Sequence, residues 1–234
     1  MIGKVRYRMG EHKIIINHDE LDYRTNEAYK ALRTNIQFCG DNIKVISLTS
    51  CTPNEGKTSV AFNMALSFKE IGKKVILIDG DLRKSVLIGR YKIGKVEYGL
   101  SHYLSGQNDH KDVIYNTNID NLDVVFCGTY SPNPAELLSH ERFDNMISTL
   151  REEYDYIIID TPPLGSVIDS AIIARQVDGA IIVIEANAIS YRFAQNVKEQ
   201  LEKANTRILG AILNKVSLEK QKYYGKYYGK YYGK

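Results

Sequence analysis

The sequence predicts an α/β domain built on a doubly wound, mostly parallel sheet, and two observations support that fold class. Short apolar runs such as residues 156–159 and 180–184 are continuously apolar rather than alternating, which is typical of parallel strands buried on both faces. Segments with a helical spacing of apolar residues lie between these runs, as crossover connections require. Ligands of such folds bind beyond the carboxyl ends of the strands, so the residues after each apolar run are the candidates for function.

The predicted elements follow one another along the chain. Residues 1–18 form a lead-in, and residues 19–216 form one domain that opens with an amphipathic helix over residues 19–38, with Asp19 near its start. The predicted strands span residues 45–49, 74–78, 122–126, 156–159, 179–185 and 208–214. The predicted helices span residues 57–71, parts of 134–151, 169–175 and 191–203, and the pattern is looser up to residue 121.

The composition limits the class of protein. A chain of 234 residues with 44% hydrophobic residues can bury a substantial core, and its apolar runs are too short to cross a bilayer. The amino terminus has no signal-peptide pattern, and three scattered cysteines fit reduced thiols. We therefore expect a cytoplasmic protein. Its five histidines show no spacing that suggests a metal site.

The positive charge of the chain lies in its tail. The net charge is +3, but residues 217–234 hold five lysines and one glutamate, which is +4, so residues 1–216 sum to −1. Because this body shows no basic stripe, we expect no nucleic-acid partner. The tail ends in YYGKYYGKYYGK and is predicted to be disordered. Lipid docking, base stacking and service as a substrate are three possible roles for it.

A phosphate-binding loop follows the first long strand. The segment CTPNEGKT precedes an apolar-periodic helix, as in loops whose backbone N–H groups cradle phosphates. Lys57 is expected to reach the β and γ oxygens, and the Thr58 hydroxyl to ligate Mg²⁺. Cys51 replaces the usual first glycine, either as a redox-sensitive thiol or as a small tolerated residue. The predicted nucleotide contacts are Thr52, Pro53, Asn54, Glu55, Gly56, Lys57, Thr58 and Ser59.

Acidic residues close two further strands. The segment VILIDGDLR places Asp79 and Asp81 two residues apart, so an extended backbone directs both carboxylates to one side. The segment YIIID carries Asp160 where a carboxylate holds hydrated Mg²⁺. A turn or helix cap is the alternative for either residue of the first pair. Together these strand ends predict one Mg–nucleotide site.

These motifs, in this order, resemble the bacterial tyrosine kinases of polysaccharide export, the BY-kinases. The resemblance rests on the phosphate-binding loop, on ILIDGDLR as a second Walker-like motif, on IIIDTPP as Walker B, and on the tyrosine-rich tail. It covers roughly residues 20–216 and implies a P-loop NTPase of the MinD/ParA-like branch. Without fused membrane segments, the chain most resembles the separate kinase subunit of Gram-positive-type systems.

The resemblance implies ATP and Mg²⁺ as cofactors and assigns roles to the strand ends. Lys57, Asp79, Asp81 and Asp160 are the expected catalytic residues, and Thr58, Asp81 and Asp160 the metal-binding ones. A phenol of pKa about 10 needs a base near neutral pH. We expect Asp79 to be that base, although spacing alone leaves its role exchangeable with that of Asp81.

The resemblance also implies partners. The ring-forming pattern Glu-x-x-Arg-x-x-Arg of the family matches Glu27, Lys30 and Arg33, with lysine in place of the first arginine and a solvated helix face as the alternative. Asn214 resembles the residue that reads the purine, with a strand-end cap as the alternative. The first expected partner is a membrane-bound activator, which is a polysaccharide co-polymerase whose cytoplasmic tail completes the ATP site at the inner membrane face. The other expected partners are a cognate tyrosine phosphatase and, when the chain is unphosphorylated, further copies in a ring.

The expected reaction is transfer of phosphate to the tail tyrosines in trans, which would regulate polysaccharide polymerisation and export. The expected acceptors are Tyr223, Tyr224, Tyr227, Tyr228, Tyr231 and Tyr232. The rival function is a MinD/ParA-like ATPase switch without kinase activity. Such switches carry a signature lysine at the position of Thr52, and its absence favours the kinase. A noncatalytic lipid-docking module would explain the lysines of the tail but not its six tyrosines.

Overall fold

The structure is a computed structural model that describes residues 13–217. Its strands are β1 (Lys13–Ile14), β2 (Val45–Ser50), β3 (Val75–Asp79), β4 (Ile114–Thr117), β5 (Leu122–Val125), β6 (Tyr156–Asp160), β7 (Gly179–Glu185) and β8 (Ile208–Asn214). Its α-helices are α1 (Tyr23–Phe38), α2 (Lys57–Glu70), α3 (Leu87–Arg90), α4 (Leu100–Leu104), α5 (Pro134–Leu138), α6 (Glu141–Glu153), α7 (Asp169–Ala174) and α8 (Tyr191–Lys203).

The strands form one sheet in the order β1-β4-β5-β3-β6-β2-β7-β8. Every neighbouring pair is parallel except β4 with β5. The predicted mostly parallel sheet is therefore confirmed. Among residues 13–217, no helix is both long enough and apolar enough to cross a membrane.

Helices cover both faces of the sheet, which explains why its central strands are continuously apolar. Along β6, Ile158 packs into the cluster beneath α1 and α2, whereas Ile157 and Ile159 pack into the cluster beneath α4 and α6. Successive side chains of a strand point to opposite faces, so both sets of positions must be apolar. Each fully buried isoleucine contributes about 1.5–3 kcal/mol relative to an exposed one.

The first helix starts later than the sequence predicts. Asp22, not Asp19, is its N-cap, because the Asp22 carboxylate accepts the N–H groups of Arg24 at 3.0 Å and Thr25 at 3.2 Å. These bonds satisfy donors that the first helical turn leaves without a partner. Within the predicted lead-in, β1 pairs in parallel with β4, and residues 1–12 lie outside the described part.

The region up to residue 121 is more ordered than its pattern indicates. It contains α3, α4, a 3₁₀ turn over His110–Val113 and the antiparallel strand β4. In β4 the buried Tyr115 and Thr117 flank the exposed Asn116. Such a short strand offers too few alternations to be recognised from sequence.

The order of the strands brings the predicted functional loops together. Strand β6 lies between β2 and β3, and Asp160 is in register with Leu48 on one side and with Asp79 on the other. Because all three strands run in parallel, the loops that follow them start at the same edge of the sheet.

Candidate active site

The phosphate-binding loop ends in a sharp turn at Gly56, which precedes the first residue of α2. The φ angle of Gly56 is 90°, and a Cβ atom there would overlap Asn214 Nδ2. Only glycine fits both the left-handed conformation and the close approach. Helix α2 then starts at Lys57 without a side-chain cap, so its first N–H groups can bind an anion.

The side chain of Glu55 fixes the phosphate-binding loop through hydrogen bonds. It is buried, and Oε2 accepts the N–H groups of Cys51 at 2.6 Å and Thr52 at 2.8 Å, while Oε1 accepts that of Glu185 at 3.3 Å. In this conformation the Thr52 N–H is taken up by Glu55, and a nucleotide contact of Thr52 stays a prediction. The sequence analysis missed the role of this carboxylate, since Glu185 lies 130 residues away.

Cys51 is fully buried at the start of the loop. Burial raises the pKa of its thiol to about 12, and the charge of Glu55 adds to the effect. A thiolate is therefore disfavoured, and the small tolerated residue is the better of the two readings of Cys51.

Lys57 joins two of the predicted acidic residues. Its Nζ lies 3.7 Å from Asp81 Oδ2 and 3.7 Å from Asp160 Oδ1. Burial raises the pKa of Asp160, although the nearby Lys57 and Thr58 oppose that shift. Asp160 Oδ1 accepts no hydrogen bond within the described part of the chain. The strand ends thus gather buried carboxylates whose capacity to bind cations and donors is not met by the protein alone.

Asp79 is the most deeply placed of the three aspartates. The Ser85 hydroxyl donates to Asp79 Oδ2, and the side chain is almost completely buried. Burial raises the pKa of Asp79 to about 7, and the charge of Asp160 adds to it. A carboxylate with this pKa exchanges a proton near neutral pH, as a general base requires.

Asp81 and Arg83 fix the turn that follows β3. Asp81 Oδ1 accepts the N–H groups of Arg83 at 3.2 Å and Lys84 at 2.9 Å. Arg83 forms a bidentate pair with the fully buried Asp169, through Nε at 2.7 Å and Nη2 at 2.9 Å. The sequence analysis missed this pair, which ties the acidic loop to α7 across 86 residues.

A cavity of about 270 Å³ opens over this arrangement. Its walls come from the phosphate-binding loop, from the loop and helix after β3, and from the loop after β6. Pro53, Asn54, Gly56, Lys57, Thr58 and Asp81 are the predicted site residues on the walls. Ser59, another predicted contact, accepts a hydrogen bond from Arg90 Nη1 at 2.8 Å.

Residues at the end of β8 form hydrogen bonds to the backbone of the phosphate-binding loop. Asn214 Nδ2 donates to Glu55 O at 2.8 Å, and Lys215 Nζ donates to Asn54 O at 2.6 Å and to Glu185 Oε2 at 2.7 Å. In this conformation the Asn214 amide contacts the protein backbone, as in the strand-end alternative. Reading of the purine by Asn214 stays a prediction.

The three residues predicted for ring assembly lie away from this cavity and divide into two environments. Lys30 Nζ bonds Glu27 Oε1 at 2.8 Å on the exposed face of α1. The Arg33 side chain is only 12% exposed, and its Nη1 donates to Ser67 O and lies 3.7 Å from Glu70 Oε2 on α2. Arg33 thus joins two helices of one chain. The six predicted acceptor tyrosines and residues 218–234 as a whole lie outside the described part.

The fit to Mg²⁺ can be judged from the donor set. Mg²⁺ usually binds through one or two protein carboxylates, with waters and substrate phosphates as its other ligands. The described residues contain no group of three His, Cys, Asp or Glu side chains arranged to hold a metal ion. The unmet Asp160 Oδ1 beside Asp81 and the Thr58 hydroxyl fit a hydrated ion that the nucleotide phosphates help to hold.

Comparison with known proteins identifies the family. The family model described as AAA domain matches residues 43–214. Tyrosine-protein kinase CpsD of Streptococcus pneumoniae serotype 4 is 47% identical over 200 residues, which cover 86% of this chain and 88% of that protein.

Solved structures agree with the sequence matches. The crystal structure of the chimerical protein CapA2B2 has a TM-score of 0.80 and 29% identity, and it covers 86% of this chain and 92% of its own. The septum site-determining protein MinD of Pyrococcus horikoshii, complexed with Mg-ADP, has a TM-score of 0.64 and 27% identity, covering 73% and 70%. The predicted P-loop fold of the MinD/ParA-like branch is confirmed. The chain belongs to the bacterial tyrosine-protein kinases.

Proposed function

We propose that this tyrosine kinase uses Mg–ATP to phosphorylate the tyrosines of its own carboxyl-terminal tail on a neighbouring copy, and so regulates polysaccharide polymerisation and export. The observation that supports this best is the convergence of Lys57 with Asp81 and Asp160, beside Asp79, under one cavity. Phosphoryl transfer needs a cation for the γ-phosphate, a metal site and a base, and these residues supply all three.

Lys57 is the phosphate-binding cation in this proposal. Its long contacts of 3.7 Å to Asp81 and Asp160 are weak enough to be exchanged for phosphate oxygens. Thr58, at the start of α2, would ligate Mg²⁺ directly, and Asp81 and Asp160 would hold the waters around it. When bound, the ion neutralises charge on the transferred phosphoryl group.

Asp79 is the base. The phenol oxygen bonds to the γ-phosphorus while the bond from that phosphorus to the ADP oxygen breaks, and the phenol proton passes to the Asp79 carboxylate. The Ser85 hydroxyl donates to Oδ2 of that carboxylate, which keeps further acceptor sites for the proton. Asp81 lines the cavity and contacts Lys57, which suits it to the metal rather than to the base.

Partners follow from the family. We propose a membrane-bound activator, a co-polymerase whose cytoplasmic tail completes the ATP site and brings the chain to the inner membrane face. A cognate phosphatase would reverse the reaction. Ring assembly of unphosphorylated copies would use the exposed Glu27 and Lys30, whereas the intramolecular contacts of Arg33 indicate a supporting role in α1 packing.

The test compares Asp79→Asn with Asp81→Asn in the full chain. Labelled ATP, Mg²⁺ and the activator segment are supplied, and phosphotyrosine and ADP are both measured. Asp79→Asn should abolish phosphotyrosine while Mg–ATP still binds, and Asp81→Asn should raise the Mg²⁺ concentration needed for activity. ATP hydrolysis without phosphotyrosine in the parent chain would favour the MinD-like switch, which the shared fold makes the second candidate.

A mixing experiment tests transfer between copies. A Lys57→Met chain supplies the tail, and a chain that ends at residue 217 supplies the active site. Label on the tail of the Lys57→Met chain is expected. Absence of label there, with label on the intact parent chain, would contradict transfer in trans.

A further inference from the structure

Two cations at the active-site cavity have no acidic partner in residues 13–217. Lys84 and Arg90 are both exposed and both line the cavity. The Arg90 guanidinium bonds the neutral Ser59 hydroxyl. Their neighbour Arg83 differs, because its guanidinium is held in a bidentate pair by the buried Asp169. Lys84 and Arg90 are therefore available to an anion that enters the cavity.

The same cavity has an apolar wall. Val86, Pro163 and Val167 line it, and Val86 remains 41% exposed. A cavity wall that combines these apolar side chains with the cations Lys84 and Arg90 suits an aromatic ring that carries a negative charge.

The unmodified tail does not have that charge. Residues 217–234 carry +4 and place one lysine in each YYGK repeat, so Lys84 and Arg90 repel them. A phosphate on one tyrosine adds about −1.5 to −2 charges at neutral pH and three acceptor oxygens. A phosphotyrosine in the tail therefore supplies the anionic partner that Lys84 and Arg90 lack.

We propose that Lys84 and Arg90 form a phosphotyrosine-binding subsite, which holds a modified tail tyrosine while another tyrosine of the same tail occupies the active site. The inference rests on the proposed function, since it needs the tail as a substrate. Tyrosine pairs recur every four residues, about 14 Å in an extended chain, so a modified tyrosine has other tyrosines of the same tail within reach. The first phosphate accelerates the addition of later ones.

The kinetic test supplies the full chain with labelled ATP, Mg²⁺, the activator segment and two synthetic peptides of residues 219–234. One peptide is unmodified and the other carries phosphate at Tyr227. The phosphopeptide should show a kcat/KM about tenfold higher, as two charge-assisted contacts permit. In Lys84→Ala/Arg90→Ala this ratio should fall to about one. The control Arg175→Ala/Lys203→Ala removes the same charge from exposed sites outside the cavity and should keep the parent ratio.

A ratio near one in the parent chain would overturn the proposal. So would an unchanged ratio in Lys84→Ala/Arg90→Ala with a raised KM for ATP, because the two cations would then serve the nucleotide.

Equilibrium binding separates this inference from the proposed function. Fluorescein-labelled versions of both peptides are titrated with the full chain in Mg-ADP, and anisotropy is measured. The phosphopeptide should bind about tenfold more tightly, and only Lys84→Ala/Arg90→Ala should lose the difference. Equal binding of both peptides would contradict the subsite. If the phosphopeptide binds selectively but neither peptide is phosphorylated in the kinetic test, the proposed function fails, whereas binding of phosphotyrosine by Lys84 and Arg90 stands.

Discussion

The two ends of the sheet use aspartate in opposite ways. At the amino end, Asp178 precedes β7 and accepts the N–H groups of Lys44 and Val45 at 2.8 Å and both Nη atoms of Arg151 at 2.9 and 2.7 Å. Burial acts to raise the pKa of Asp178, but these hydrogen bonds outweigh it and hold the pKa below its usual value. At the carboxyl end, burial raises the pKa of both Asp79 and Asp160.

The difference shows which end is built for stability and which for ligands. The Asp178 carboxylate has its partners within the protein, so its charge favours the folded state. Asp160 shares one distant lysine with Asp81 and keeps an acceptor without a hydrogen bond. Buried charges with too few partners are destabilising and tend to occur where a ligand supplies what is missing.

The largest expected effect is that of Lys57→Met. It removes the cation that contacts Asp81 and Asp160, and phosphotyrosine formation should fall by about 10³-fold or more. Rates are measured with labelled ATP, and Lys69→Met, on the last turn of the same helix, is the matched control. A loss of less than tenfold would remove Lys57 from the proposed mechanism.

A substitution of Asp178 at the amino end of the sheet should lower the stability of the protein and leave its kinase activity unchanged. Asp178→Asn weakens four charge-assisted bonds, so the free energy of unfolding should fall by about 2–3 kcal/mol. Urea denaturation measures it, with Asp155→Asn, a more exposed ion-pair residue, as the control.

The same variant predicts a pH dependence. Because the folded-state pKa of Asp178 is below its unfolded value of about 3.9, its stabilising effect is present above that pH and is lost as the pH falls through the folded value. The stability difference between the parent chain and Asp178→Asn should therefore shrink from pH 6 towards pH 3. A difference that grew on acidification would contradict the comparison of the two ends.

The variant Asp160→Asn should separate stability from activity. It removes an undercompensated buried charge, so the free energy of unfolding should rise by about 1 kcal/mol while phosphotyrosine formation is lost. Thermal unfolding and labelling are measured on the same preparation. A destabilisation as large as that of Asp178→Asn would mean that the two ends do not differ.

The smallest effects are expected on α1. Arg33→Ala removes hydrogen bonds to Ser67 and should cost about 1–2 kcal/mol of stability. Lys30→Ala breaks an exposed pair and should leave stability unchanged, whereas a role in ring assembly predicts a smaller particle by light scattering. Unchanged particle size in a chain that does assemble would assign Lys30 to a solvated face.

Much of the fold could be predicted because its signals are local. Strands β7 and β8 and helix α8 have the predicted bounds, and β2, β3, β5 and β6 differ by a residue at one or both ends. Strand β4 and the start of α1 were missed, since one depends on a short alternation and the other on which of two nearby aspartates caps the helix.

The sequence by itself determined the chemistry of the site. Lys57, Asp79, Asp81 and Asp160 each lie within a few residues of the apolar run that positions them, so short segments are enough to identify them as candidates for the proposed roles. Only the tertiary structure decided how the site is held in place. Glu55 bonds the N–H group of Glu185, Asp169 pairs with Arg83, and Asn214 contacts Gly56. At the opposite end of the sheet, Asp178 bonds the N–H group of Val45. Apart from the local bonds of Glu55, these contacts join residues 86 to 158 positions apart. Such pairings depend on the path of the folded chain rather than on local pattern.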